Sequence, residues 1–531
     1  MEEPILQNTI PSPTPIRTTV MRILFALFSV LMAYQFLGMI PLISLPLGTL
    51  LFAVLLFVGT AAYGLLIGAK PKADAVLSMI FGLIAASYPL QNGFSDKYPY
   101  YPYFLLTLAA YAYFVYTLFG NRKAKLPGSE MLFEWLQATV LYPFESFPAL
   151  FVTLFARHSA DKKRRLKTYL YTAIGILLAL LFGFGVIWLL SFDEHFASVA
   201  ESIRKFFTFD EDWLFTAGLK WFFAIPFGAL MFGITAASER HRHPGFASAE
   251  TVSRLSEKLH FLPFVIAALP AGTLIVIYGL FFFTQMPYYL SAFSNRLPEA
   301  YSAADYARSG FFELCGVAAI NTVLTFIMNV FSQHGKKVPD RIRKVLIVLL
   351  SLETLILILT ALSKLFLYME RFDLTMTRLW STFFLLFVAI GFLALLVSMF
   401  FRKLRVLPIV LTLGLLFAVV YPFCNVNRLV AQYNVDSYFR RVETAEQKPN
   451  IDTDYLATLG EAVAPELIRL YESNLTDSKT KQDAKAAIAV LAQMQRWDPI
   501  RQEDAEPAWY QYSVHTANCN KLLAPFRSDR F

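Results

Sequence analysis

Long apolar runs, each close to twenty residues and separated by short polar stretches, set the pattern of this chain. A helix needs about 20 mostly apolar residues to cross a bilayer, where its backbone must satisfy its own polar groups. Runs of that kind fall at 21–40, 48–69, 74–92, 102–120, 168–191, 215–237, 262–285, 310–332, 345–369, 377–400 and 406–424. The pattern predicts an all-α, polytopic transmembrane helical bundle of about 11 spans. The run at 74–92 is the least regular, because Pro89 and Gln91 interrupt its end. Residues 130–156 are also apolar, but Glu134, Pro143, Glu145 and Pro148 break them and basic clusters flank both ends. A segment flanked that way enters and leaves on one side, as an interfacial or re-entrant part of the basic stretch 121–167.

Beyond residue 424 the runs stop. Asp452 is placed to cap a turn carrying Tyr455, Leu456, Leu459 and Val463 at helical spacing. Pro465 suits the first turn of a second helix, with Leu467, Ile468 and Tyr471. Asp477 or Ser478 opens a third, with Ile488, Leu491 and Met494 on one face. The expected organisation is an N-terminal tail (1–20), four spans (21–120), the basic segment (121–167), seven further spans (168–424) and a small helical extramembrane domain (425–531).

Composition agrees with lipid as the solvent. Hydrophobic residues make up 56% of the chain and charged residues 16%, with mean hydropathy +0.50 and 51 Phe. The net charge of +8 does not point to nucleic acid, because it is confined to the membrane part. Residues 425–531 hold 13 Lys/Arg against 15 Asp/Glu, leaving 34 against 24 elsewhere. The basic residues cluster in alternate loops, as around Lys70, Arg122, Lys162–Lys167, Arg240, Lys336 and Arg402, whereas "SFDEHF" and "FDEDW" lie between them. By the positive-inside rule the N-terminus is cytoplasmic and the C-terminus extracytoplasmic, in a bacterial cytoplasmic membrane. Arg428, Arg440 and Arg441 run against that bias. The first apolar run is too long for a signal peptide and reads as a retained span.

The chemistry on offer is sparse. There is no P-loop, dinucleotide fingerprint, H-E-x-x-H or G-x-S-x-G, so the sequence points to no cofactor and leans away from an enzyme. Glu239, His241 and His243 lie together in "SERHRHPGF", but Arg240 and Arg242 make that loop a poor cation site, and no metal is expected. The tyrosines of "KYPYYPYF" (Tyr98, Tyr100, Tyr101, Tyr103) suit an interfacial aromatic belt more than a sugar platform. Three cysteines are too few for a disulfide scaffold, although Cys424 and Cys519 form a candidate bond if the tail faces an oxidising space.

Ionisable residues within the runs are more informative, since each costs at least ~2.5 kcal/mol to bury in hydrocarbon. Glu313 and Asn321 lie on the eighth run, with Asn329 beyond them; Glu353 and Lys364 lie on the ninth. Counting at about 1.5 Å per residue puts Asn321 level with Glu353, and Glu313 level with Lys364. The expected result is a polar seam, serving either as glue between two helices or as a proton or substrate path.

The stretch "YSAADYARSGFFELCGVAAIN" (301–321) resembles the central motif of a bacterial membrane family known as domain of unknown function 4173. The matching residues are Tyr306, Ala307, Arg308, Gly310, Phe311 and Phe312, then Asn321; Ser309 and Glu313 depart from it. "NVNRLVAQYN" (425–434) and "DTDYLATLGEAVAPEL" (452–467) resemble that family's elements beyond the membrane, so the likeness covers roughly 260–531. It implies architecture and bacterial origin, and no activity or cofactor. Arg308 lies before a span on the outer side, beside Asp305 and Tyr306, where it would meet a carboxylate or a lipid phosphate, or simply snorkel.

Three functions stay open. The first is a membrane scaffold or signalling component whose extracytoplasmic domain binds a protein partner. The second is a transporter using the polar seam. The third is a membrane enzyme acting on lipid-linked substrates, for which the uncharged first outer loop "PLISLPLG" offers no acidic pair and Asp193 and Glu194 are the nearest substitute.

Overall fold

The computed structural model describes residues 15–39, 46–92, 97–122, 129–155, 213–240, 262–293, 311–332, 337–401, 404–444, 450–494, 497–498, 503–504, 512–514 and 516–527. The first apolar runs form α1 (Pro15–Met39), α2 (Pro46–Leu66) and α3 (Ala73–Ala86), followed by the short α4 (Tyr88–Asn92) and then α5 (Lys97–Leu118). The broken segment forms α6 (Ser129–Leu136), a π-turn at Gln137–Leu141, α7 (Tyr142–Glu145) and α8 (Ala149–Phe155). Next come α9 (Trp213–Arg240), α10 (Phe264–Phe293), α11 (Phe311–Val330), α12 (Lys337–Phe372), α13 (Met376–Phe400) and α14 (Val406–Val420).

The helices bury one apolar face against each other and leave another apolar face outside. On α1, Phe25 and Met32 are buried whereas Leu24, Leu27 and Leu31 are about half exposed. A surface of that kind has lipid as its solvent. One core joins α1, α2, α3, α5 and α9 through Phe25, Phe57, Tyr111, Phe114 and Phe232. A second group packs α10, α11 and α13 around α12, with Leu357, Ile358 and Phe392 between them.

Seven helices among the described residues are long and apolar enough to cross a membrane, or eight if the bent pair formed by Met131–Glu145 and Ala149–Phe155 counts as one span. The protein is therefore a polytopic helical membrane protein, but the seven fall short of the eleven expected. Three expected spans are shorter apolar helices, at Ala73–Ala86, Pro102–Leu118 and Gly316–Asn329. The 14 residues of α3 reach about 21 Å against a hydrocarbon core of about 30 Å. Its stop is local: Ser87 turns the chain ahead of Tyr88 and Pro89, and its hydroxyl donates to the Ile84 carbonyl. The run at 168–191 lies outside the described residues.

Side chains far apart in sequence meet at two ends of the bundle. At one, Arg22 pairs with Glu239, Arg122 pairs with Asp74 at 2.5 Å, and the Asn121 amide donates to the Ser238 carbonyl at 2.8 Å. At the other, Tyr88, Tyr103 and Tyr421 stack face to face, the first two with centroids 4.5 Å apart, and Tyr103 donates to the Ala418 carbonyl.

The segment 131–155 is amphipathic inside out. Leu132, Trp135, Leu136, Val140, Leu141 and Phe144 are exposed, whereas Glu134, Gln137, Tyr142 and Ser146 are buried against the bundle. The segment is bent by 44° at its break. The break fits closely on α9, where a Cβ on Gly233 would lie 2.8 Å from the Pro143 carbonyl oxygen.

The tail begins with α15 (Val426–Thr444), a helix not foreseen as such, and continues with α16 (Thr453–Thr458), α17 (Ala464–Glu472), α18 (Ser478–Met494) and α19 (Thr516–Leu523). Its caps follow the local chemistry. The Asp452 carboxylate accepts from the Tyr455 N–H at 2.8 Å, Pro465 sits in the first turn of α17, and the Asp477 carboxylate accepts from the Thr480 N–H at 2.8 Å. A two-residue ladder pairs β1 (Trp497–Asp498) with β2 (Glu503–Asp504), a departure from a purely helical tail.

Candidate functional site

Where the polar seam is expected, Asn321 joins three helices through side chains other than those paired by depth. Asn321, fully buried on α11, accepts from the Tyr278 hydroxyl of α10 at 2.9 Å. Its amide donates to Thr354 Oγ1 of α12 at 2.9 Å, and the Thr354 hydroxyl donates to the Leu350 carbonyl. Asn321 thus joins three helices and is satisfied by Tyr278 and Thr354, not by Glu353. A helix turns about 100° per residue, so a count of depth selected the right level and the wrong side of α12. Glu353 stands beside this lock, half-buried, and its Oε2 has no hydrogen-bond partner among the described residues. Lys364 is buried, Asn329 accepts from Arg343 at 3.3 Å, and the Glu313 side chain lies outside the described residues.

Tyr306, Arg308 and Gly310, with Asp193, Glu194, His241 and His243, also lie outside the described residues. Glu239, read with the two histidines, instead takes Arg22 and the Tyr63 hydroxyl, the latter at 3.3 Å. Tyr103 is stacked in the interior and is neither a belt residue nor a free platform. Cys424 and Cys519 are separate thiols, which corrects the expected disulfide. Cys424 is exposed; Cys519 is buried and donates to the Glu461 carbonyl, and burial pushes its thiol up to about 12.

A second constellation holds the tail on the membrane helices. Residues 373–375 join α12 to α13, and Asp373 sits there at φ 63°, in the left-handed region where Asp is among the better tolerated residues. Asn434 of α15 takes both polar groups of Leu374, accepting from its N–H at 2.7 Å and donating to its carbonyl at 2.9 Å. The Tyr455 hydroxyl accepts from the Met376 N–H at 2.7 Å, and Arg441 pairs with Asp373 at 2.8 Å. Arg378 donates to the Asp373 and Phe372 carbonyls and lies 4.1 Å over the Tyr368 ring. Burial pushes the Asp373 carboxyl above its usual range, against the pull of Arg441 and Arg378. At the other edge the Val514 N–H donates to the Leu90 carbonyl of α4. Arg441 and Arg428, which broke the loop-charge rule, are engaged inside the tail assembly, Arg428 at 3.9 Å from Glu466.

Sequence reasoning missed Tyr278 and Thr354, since an aromatic and a hydroxyl inside apolar runs read as filler. It also treated Asn434 only as part of a motif.

Residues 78–470 match the family described as a domain of unknown function, DUF4153. The chain belongs to the DUF4153 family. This corrects the number 4173, which rested on a short motif, and extends the likeness into the first half of the chain. The match covers the α3–α5 region, the seam and the clamp of Asn434 on Leu374, so both constellations are part of the DUF4153 region. No curated protein and no solved structure matches the chain.

Proposed function

We propose that the protein is a scaffold or signalling component of a bacterial cytoplasmic membrane, with its tail as the receiving part. In this reading the chain crosses eleven times, the N-terminus is cytoplasmic, and the extracytoplasmic tail binds a protein partner. The clamp on residues 373–376 carries the reading. A tail whose side chains hydrogen-bond the backbone of the turn between two spans passes any displacement directly to α12 and α13. The pairing of Arg428 with Glu466 in the tail and of Arg441 with Asp373 in the turn supports the topology, because it accounts for two of the three exceptions to the charge bias.

Two experiments test this reading. Reporter fusions after Arg165 and after Asp454 are expected in opposite compartments, and the same compartment for both overturns the topology. A photo-crosslinking residue at exposed Leu475 or Val490 in intact cells is expected to trap a discrete protein adduct. Absence of an adduct across the exposed positions of α17, α18 and α19 overturns the partner-binding role.

One observation favours transport as the second reading: Glu353 keeps a buried carboxylate oxygen without a partner among the described residues, inside a candidate span. Intramembrane carboxylates of that kind mark proton or ion paths in many membrane proteins.

A further inference from the structure

The first half of the bundle contains a row of polar side chains among its aromatic core residues. On α2, Thr60 and Tyr63 lie one turn apart on the same face, and on α9 Thr235, Ser238 and Glu239 do the same. The Tyr111 hydroxyl of α5 lies 3.1 Å from Thr60 Oγ1. One turn nearer the end of the bundle, Asn121 donates to the Ser238 carbonyl. At the end itself Glu239 holds Tyr63 and Arg22. The row runs from the half-exposed Arg22 inward to Thr60 and Tyr111, a depth of about 6 Å along α9 from Glu239 to Thr235.

Three of its atoms are orphans. Ser238 is 0% exposed, Thr235 1% and Asn121 8%, yet Ser238 Oγ, Thr235 Oγ1 and Asn121 Oδ1 have no hydrogen-bond partner among the described residues. A buried polar atom left unsatisfied costs about 1–3 kcal/mol, and the usual remedy in a polar interior is bound water. Serine in a membrane helix commonly returns its hydroxyl to the carbonyl four residues back, as Thr60 does to Leu56; Ser238 makes no such bond.

We propose that this row is a hydrated lane. Water enters the bundle at the end marked by Arg22 and Glu239, is held by Ser238, Asn121 and Thr235, and stops at the Thr60–Tyr111 pair. The Arg22–Glu239 ion pair closes its mouth. The lane is separate from the seam on α10–α12 and from the tail clamp, and it stands whichever functional reading holds.

Substituted cysteines test it in the full-length protein in membranes, using a small, membrane-impermeant, cationic methanethiosulfonate applied from the face carrying the N-terminus. That reagent needs a thiolate, which forms in water and not in an apolar core. Ser238→Cys is expected to react in the folded protein within about tenfold of the exposed control Arg240→Cys, read site by site by mass spectrometry. Ala237→Cys, buried in the apolar core beside it, is the dry control. If Ser238→Cys reacts as slowly as Ala237→Cys, the lane is dry and the proposal fails. Should Ser238→Cys not accumulate, Asn121→Cys gives the same reading. Arg22→Gln is expected to raise the reaction rate at position 238 several-fold, and an unchanged rate removes the ion pair as the closure.

Discussion

Asn434 closes its side-chain amide on both backbone groups of Leu374, at 2.7 and 2.9 Å, across a sequence gap of 60 residues. Asn434→Ala removes both bonds and leaves the Leu374 peptide without them, so the tail should loosen by about 1–3 kcal/mol. Limited proteolysis of the tail in detergent is the measurement. Asn434→Asp keeps the acceptor and loses the donor, and should fall between wild type and Ala. Equal protection in all three proteins would refute the clamp.

Asp477 supplies the cap of α18, and hydrogen bonding from Thr480 holds its carboxyl below the usual carboxylate range. A depressed folded value means stability that is present above the unfolded pKa and lost as pH falls through the folded one. Asp477→Ala should cost about 1 kcal/mol near neutral pH. The difference between variant and wild type should shrink in acid, as read by thermal unfolding across pH.

Cys424 should take a maleimide readily in the native protein, whereas Cys519 should label only after denaturation. Adding reductant beforehand should change neither rate. A rise in Cys424 labelling on reduction would restore the disulfide.

The seam predicts opposite outcomes for neighbouring residues. Asn321→Leu breaks bonds to two helices and should lower stability by about 0.6–2 kcal/mol per bond. Glu353→Leu breaks no hydrogen bond to Asn321 and removes an intramembrane carboxyl, so abundance should hold or rise. Glu353→Gln should leave abundance unchanged. Loss of phenotype with Gln at normal abundance would favour transport over signalling.

The reach of sequence reasoning follows the range of each interaction. Lipid imposes long apolar runs, so α1, α2, α9, α10, α12, α13 and α14 could be read directly. The caps at Asp452, Pro465 and Asp477 are also local, each acting within three residues. Azimuth is not local: Thr354 and Glu353 share a depth, and only packing decides which one meets Asn321. Arg22 and Glu239 are 217 residues apart, and no spacing rule joins them. Asn434 reads as an ordinary polar residue until the turn at 373–375 is folded beneath it.

The 36 residues of α12 make a rod of about 54 Å, set against a hydrocarbon core of about 30 Å. Such a helix must tilt, or stand proud of the lipid at its ends, and the balance shifts by fractions of a kcal/mol per Å of mismatch. Its last residue, Phe372, leads straight into the turn that carries the tail. A thicker membrane should therefore draw α12 upright and a thinner one lay it over, carrying with it the turn at 373–375 to which the tail is tied.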